Sequence, residues 1–148
     1  PVPRFLMEPG RSIVADAGMT LYTVGSVKRI PGYKQYAAID GGMTDNPRYA
    51  LYESRYTVLH GSKIGTAERF DVVGRCCESG DIIQPGVELP ADTCKGDIIA
   101  VCTTGAYNYS MASNYNRLPR PPIVMLTPER SYEAVRRETL EDLIALDL

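Results

Sequence analysis

The sequence predicts a mainly β fold, a barrel or sandwich, on three observations. The 148 residues include 13 glycines and 11 prolines, too many breakers for a helical bundle of this size. Short apolar, β-branched runs recur along the chain, each closed by a turn signal. Helical spacing of apolar residues shows only near the end. Many short strands separated by Pro/Gly turns, with little helix, specify packed or closed sheets.

Seven runs read as strands. Leu21–Ile30 is apolar and β-branched and stops at Pro31-Gly32. Tyr36–Asp40 is closed by Gly41-Gly42. Thr57–Leu59 and Phe70–Gly74 follow, the second carrying Val72 and Val73. Ile98–Cys102 is a continuous apolar run of the kind buried on both faces, and Pro122–Leu126 is another. Ser131–Arg136 is the last. Beyond it Leu140, Leu143 and Ile144 fall at i, i+3 and i+4 behind Thr139, a good N-cap, which predicts a short terminal helix.

Composition narrows the function. The net charge of −2 argues against a broad nucleic-acid surface, which needs excess positive charge. No apolar run reaches the roughly 20 residues of a membrane span. Cys76, Cys77, Cys94 and Cys102 form neither a C-x-x-C pair nor a secreted-type framework, which points to a reducing compartment, the cytoplasm. Adjacent Cys76 and Cys77 on extended chain point to opposite faces, so they are not expected to bond to each other. Cys94 and Cys102 belong to no motif and read as packing residues. The single histidine, His60, makes a histidine-ligated metal site a poor expectation and reads as a solvated loop residue beside Gly61. No metal is expected. The chain opens on Pro1-Val2-Pro3-Arg4 without a starter Met and reads as the middle of a longer polypeptide.

Four islands carry more Gly and polar side chains than a core requires. Glu8-Pro9-Gly10-Arg11 follows apolar Phe5–Met7; its backbone N–H groups can hold a phosphate and Arg11 a carboxylate, or it is a plain turn with a surface arginine. Asp40–Arg48 leads into Tyr49–Tyr52; Arg48 and Tyr52 sit four apart and share a face on a helical turn, suiting an anion, unless Arg48 is simply solvated. In Cys76-Cys77-Glu78-Ser79-Gly80-Asp81, neighbouring carboxylates disfavour a thiolate, so a thiol there suits proton donation better than nucleophilic attack. The bland reading is a buried cysteine before a turn. Thr103–Ser110, after the Ile98–Cys102 strand, suits either a phosphate contact or a helix start.

In this order the islands form a pattern. Glu8-Pro9-Gly10-Arg11-Ser12-Ile13-Val14, Asp40-Gly41-Gly42-Met43, Arg48–Tyr52, Cys77–Asp81, Gly105-Ala106-Tyr107 and Ser110–Asn116 together resemble the C-terminal part of bacterial diaminopimelate decarboxylases. These are pyridoxal-phosphate enzymes of lysine biosynthesis with the alanine-racemase-like arrangement. The resemblance covers essentially the whole chain. The Cys-Glu-Ser-Gly-Asp form and the Arg48–Tyr52 pair favour that branch over the ornithine and arginine decarboxylases.

The resemblance implies a two-domain, homodimeric enzyme in which a TIM-like barrel precedes a β domain. Residues 1–16 would be the remnant of the last barrel strand and 17–148 the β domain with short helices. Pyridoxal 5'-phosphate would be held by Glu8, Pro9, Gly10 and Arg11 with Tyr107. Arg11, Arg48, Tyr52, Glu78 and Tyr107 would bind the small amino-acid substrate, and Cys77 would be the catalytic proton donor. The Cys77-Glu78 segment would reach the partner subunit's active site. The chemistry is consistent with this. An ordinary thiol, with a pKa of about 8.5, carries its proton at neutral pH. Two arginines suit a carboxylate at each end of a substrate, and a carboxylate suits a distal ammonium. None of Lys28, Lys34, Lys63 and Lys95 lies in a motif like that of the cofactor lysine, so the chain alone is expected to be inactive. The alternatives are a decarboxylase of another basic amino acid and a stand-alone, non-catalytic β binding module.

Overall fold

The computed structural model describes residues 2–148. Eight strands form: β1 (Met19–Arg29), β2 (Gln35–Ile39), β3 (Val58–His60), β4 (Ala67–Val73), β5 (Ile82–Pro90), β6 (Ile98–Cys102), β7 (Ile123–Leu126) and β8 (Ser131–Val135). The first six make one sheet in the order β3-β6-β1-β2-β4-β5, and β7 pairs with β8 in a separate hairpin. All pairings are antiparallel except β2 with β4.

Strand β1 gives the sheet its curl. Its first half, Met19–Thr23, pairs with β6, and its second half pairs with β2 across a bulge between Val24 and Ser26. A bulge bends and twists the strand that carries it. The two edges, β3 and β5, are thereby brought near each other, and the backbone N–H just before β3, on Tyr56, donates to Gln84 Oε1 on β5 at 2.8 Å. A cleft of about 470 Å³ remains along this seam, lined by Arg55, Tyr56, Val58 and residues 84–88. Inside the curl, Val24, Ile39, Phe70, Val72, Ile83, Leu89, Ile99 and Val101 are buried together.

Four short helices punctuate the strands: α1 (Arg11–Val14), α2 (Arg48–Tyr52), α3 (Asn108–Met111) and α4 (Leu140–Ile144). The terminal helix forms as expected. Thr139 caps it, and Asp142 returns the bond to the Thr139 N–H, a full capping box. The mainly β expectation holds, with one strand more than expected. β5 is absent from the sequence reading because Pro85, Gly86 and Pro90 read as breakers; it lies at the sheet edge, where proline is tolerated. The expectation for His60 is corrected. It lies in β3 rather than in a solvated loop, and its side chain is 3% exposed against Asp97. Cys94 is corrected too. It is an exposed thiol beside Lys63, with no packing role.

Candidate active site

The Glu8–Gly10 segment runs outside the sheet and is exposed, and the chain turns at Gly10 into α1. Tyr107 sits opposite. A Cβ built on Gly10 would strike the Tyr107 hydroxyl, so only glycine permits this approach. Tyr107 reaches that position by adopting φ 71°, a left-handed conformation for which a bulky residue has no intrinsic preference. Strain of this kind persists where the surrounding structure enforces it, and it concentrates at functional sites. The carbonyl of Tyr107 is held by Ser110 Oγ at 3.0 Å and by the Met111 N–H at 2.9 Å.

Arg48 lies between two of the aromatic rings. Its guanidinium stacks on Tyr52, 5.2 Å from the centroid, and on Tyr107 at 5.3 Å. The i, i+4 geometry of α2 supplies the first contact, as the spacing predicts. The Arg48 Nη1 points at Met111 Sδ at 3.5 Å, and Nε is buried without a hydrogen-bond partner. A guanidinium with an unpartnered buried N–H beside two phenols has the donor geometry that suits an anion. Arg11 is placed differently, over the ring of Tyr56 at 5.4 Å. Tyr56 is buried and directs its hydroxyl at Asn108 Oδ1. Composition gave no reason to select Tyr56, which meets Arg11 only because the fold brings α1 to the segment before β3.

The segment between β4 and β5 turns outward. Cys76 is buried, 1% exposed, while the next residue, Cys77, is exposed with φ 56°. Both remain free; the segment is a bend with Cys77 in the left-handed region rather than the extended chain expected. Burial, with the nearby Asp81 carboxylate, pushes the Cys76 thiol above its ordinary pKa. Asp81 is buried and accepts from the backbone N–H groups of Met43 and Cys76, each at 2.6 Å. Glu78 is exposed. Among the described residues no hydrogen bond or ion pair joins Cys77 or Glu78 to the Arg48–Tyr107 cluster. The structure thus gathers Gly10, Arg48, Tyr52 and Tyr107, sets Arg11 on Tyr56, and presents Cys77 and Glu78 on a separate exposed loop. Among the described residues no three His, Cys, Asp or Glu side chains converge as metal ligands.

Comparison with known proteins bears on the family and the fold. Residues 12–105 match the family of the pyridoxal-dependent decarboxylase C-terminal sheet domain. The diaminopimelate decarboxylase of Bacillus subtilis is 50% identical over 149 aligned residues, covering 99% of this chain and 34% of the relative. The diaminopimelate decarboxylase of M. jannaschii, solved in complex with L-lysine, superposes with a TM-score of 0.91 at 37% identity, over 99% of this chain and 33% of that one. The Helicobacter pylori enzyme, also complexed with L-lysine, gives 0.87 at 36% identity, over 95% of this chain and 34% of that one. The chain spans about a third of the length of the relatives it matches. The family resemblance carried by the motifs is confirmed, and with it the cofactor class. With a sheet that curls around one core and a family match over most of its length, this chain belongs to the pyridoxal-dependent decarboxylases, as their C-terminal sheet domain.

Proposed function

We propose that this chain is the β domain of a diaminopimelate decarboxylase, which converts meso-2,6-diaminopimelate to L-lysine and CO2. The observation that carries the reading is Arg48 stacked on Tyr52 and Tyr107 with its Nε unpartnered, and the Tyr107 hydroxyl set against Gly10. Residues 1–16 are assigned to the end of a preceding barrel and 17–148 to the β domain; Pro1 lies outside the described residues. Segment 2–10 runs outside the sheet, which supports that division.

The residues present fit pyridoxal phosphate. The absence of a side chain at Gly10 lets the Tyr107 hydroxyl lie directly against the turn, where a Cβ would collide with it. The backbone N–H groups of Glu8, Gly10 and Arg11 would hold the phosphate, with Pro9, which has no N–H, fixing the turn between them and the Tyr107 hydroxyl beside them. When bound, the cofactor supplies the sink for the electron pair left as CO2 departs. The remaining work belongs to this chain's side chains. Arg11 and Arg48 bind substrate carboxylates, and Tyr52 and Tyr107 hold Arg48 flat for a forked contact. Glu78 pairs with the distal ammonium. Cys77 delivers the proton from its Sγ to the carbon that lost CO2. Because the Cys77–Glu78 loop stands apart from the arginines, a homodimer with sites shared across the interface is the arrangement that unites them. Lys34 and Lys63 are engaged with Asp71 and Asp97, which supports placing the cofactor lysine outside this chain. The four free cysteines fit a cytoplasmic enzyme.

The test is to assay the full-length protein carrying this chain with diaminopimelate, ornithine and arginine. Turnover of diaminopimelate, lost by roughly 100-fold or more in Cys77→Ala, is expected. Preference for ornithine or arginine would replace this reading with the related decarboxylases. No turnover of any of the three would favour a binding module.

A further inference from the structure

We infer that Asn116, acting with Asp81, is the positioning residue that sets the Cys77 loop. The inference rests on the reading of Cys77 as proton donor. Cys76, the residue before it, has both backbone groups held by side chains from elsewhere in the chain. Its N–H donates to Asp81 Oδ2 at 2.6 Å, and its carbonyl accepts from Asn116 Nδ2 at 2.7 Å. The first bond orients the peptide plane ahead of Cys76. The second orients the plane between Cys76 and Cys77, and that plane sets where the chain enters Cys77 at φ 56°.

Asn116 is built for this role. It has φ 55° and is followed by Arg117 at φ 54°, so the turn after Tyr115 doubles back in the left-handed region. Asparagine enters that region more readily than most residues. The turn is closed at its base by the Arg117 N–H donating to the Asn114 carbonyl at 2.8 Å, and Asn114 Nδ2 donates to the Leu118 carbonyl at 3.1 Å. The same stretch of chain carries Tyr107 at its start. Asn116 therefore links the segment that holds Tyr107 to the loop that holds the thiol, 40 residues apart in sequence. Asp81 anchors the loop from inside, since its other oxygen accepts the Met43 N–H. Asp81 is buried and Asn116 is exposed, so Asn116 can be changed without opening the core.

The test uses Asn116→Gly and Asn116→Asp in the full-length enzyme. Gly, Asp and Asn all accept a left-handed φ, so both variants remove the N–H donor to the Cys76 carbonyl without straining the turn; Asp adds a charge there and Gly does not. Both variants are expected to keep the wild-type melting temperature within a few degrees while kcat falls about 10- to 100-fold, the cost of misplacing a reacting group by about an ångström. A second readout is independent of turnover. The rate at which iodoacetamide alkylates Cys77, measured by peptide mass spectrometry against exposed Cys94, should rise by about threefold or more as the loop opens locally. Wild-type kcat together with an unchanged Cys77-to-Cys94 ratio in both variants overturns the inference. Cys77→Ala separates the two readings. If that variant keeps full turnover, the proton-donor assignment fails, and the alkylation ratio alone decides whether Asn116 sets the loop.

Discussion

Around His60 a single carboxylate is shared by several donors. The Nδ1 of His60 accepts the backbone N–H groups of Ser62 at 3.3 Å and Lys63 at 2.9 Å, which leaves the ring proton on Nε2, facing Asp97 Oδ2 at 3.2 Å. Lys63 Nζ and the Cys94 N–H reach the same oxygen, each at 2.8 Å. Burial alone would raise the Asp97 carboxyl, but the Lys63 ammonium, the Cys94 N–H and His60 outweigh it and hold the group well below the usual carboxylate range. A carboxylate depressed in the folded state adds stability above its unfolded pKa, near 3.9, and loses it as pH falls toward the folded value. Asp97→Asn should therefore cost about 1–3 kcal/mol near pH 7. The gap from wild type should narrow as melts are taken below about pH 4. A gap that stays constant from pH 7 to pH 3 would show that charge at Asp97 contributes nothing. None of this was legible beforehand, because His60 and Asp97 are brought together only when β3 pairs with β6.

Among the elements, legibility followed hydrophobic pattern. β6, an unbroken apolar run, matches its expected boundaries, and β1, β2, β7 and β8 shift by a residue or two. β5 was not legible because its function at the edge requires the residues that usually break strands. Pro85 lacks an N–H, and Gly86 at φ 65° turns its own N–H onto Asp71 Oδ1 at 2.8 Å. The register of β4 against β5 shifts on either side of Val72, so the two strands cannot run in simple alternation. A Cβ on Gly86 would also meet the Arg69 guanidinium at 2.8–2.9 Å. Gly86→Ala should thus destabilise by roughly 1–2 kcal/mol, chiefly through the left-handed backbone, since the flexible arginine can move aside. Urea unfolding measures it; an unchanged midpoint would mean that the backbone relaxes out of the left-handed region. The site shows the same division. Arg48 and Tyr52 were legible from i, i+4 spacing, and Tyr107 through the motif. The left-handed φ of Tyr107 and the Tyr56 platform under Arg11 come from long-range packing, which no local pattern records.

At the scale of the whole molecule, exposed apolar side chains are spread along the chain, and two runs of them lie toward its ends. Phe5, Leu6 and Met7 precede the sheet, and at the other end the β7–β8 hairpin leaves Val124, Met125, Leu126 and Tyr132 exposed, followed by Leu140, Ile144 and Leu146. A two-stranded hairpin with little buried on either face is marginal by itself in water. Contiguous apolar surface is the kind that other protein covers. On the proposed function the cover is the preceding barrel and the second subunit, because the chain spans only about a third of its relatives' length. The chain produced alone should then bind an apolar dye and elute larger than a monomer. Trypsin should cut it at Arg130, where the hairpin turn is held by the Thr127 N–H to the Arg130 carbonyl at 2.9 Å. The full-length protein should bind little dye and resist cleavage there. A dye-silent, monomeric chain, cut no faster than the full-length protein, would mean that these side chains are tolerated surface. The barrel and the partner would then have to dock elsewhere, and the exposed Cys77–Glu78 loop would be the next surface to probe.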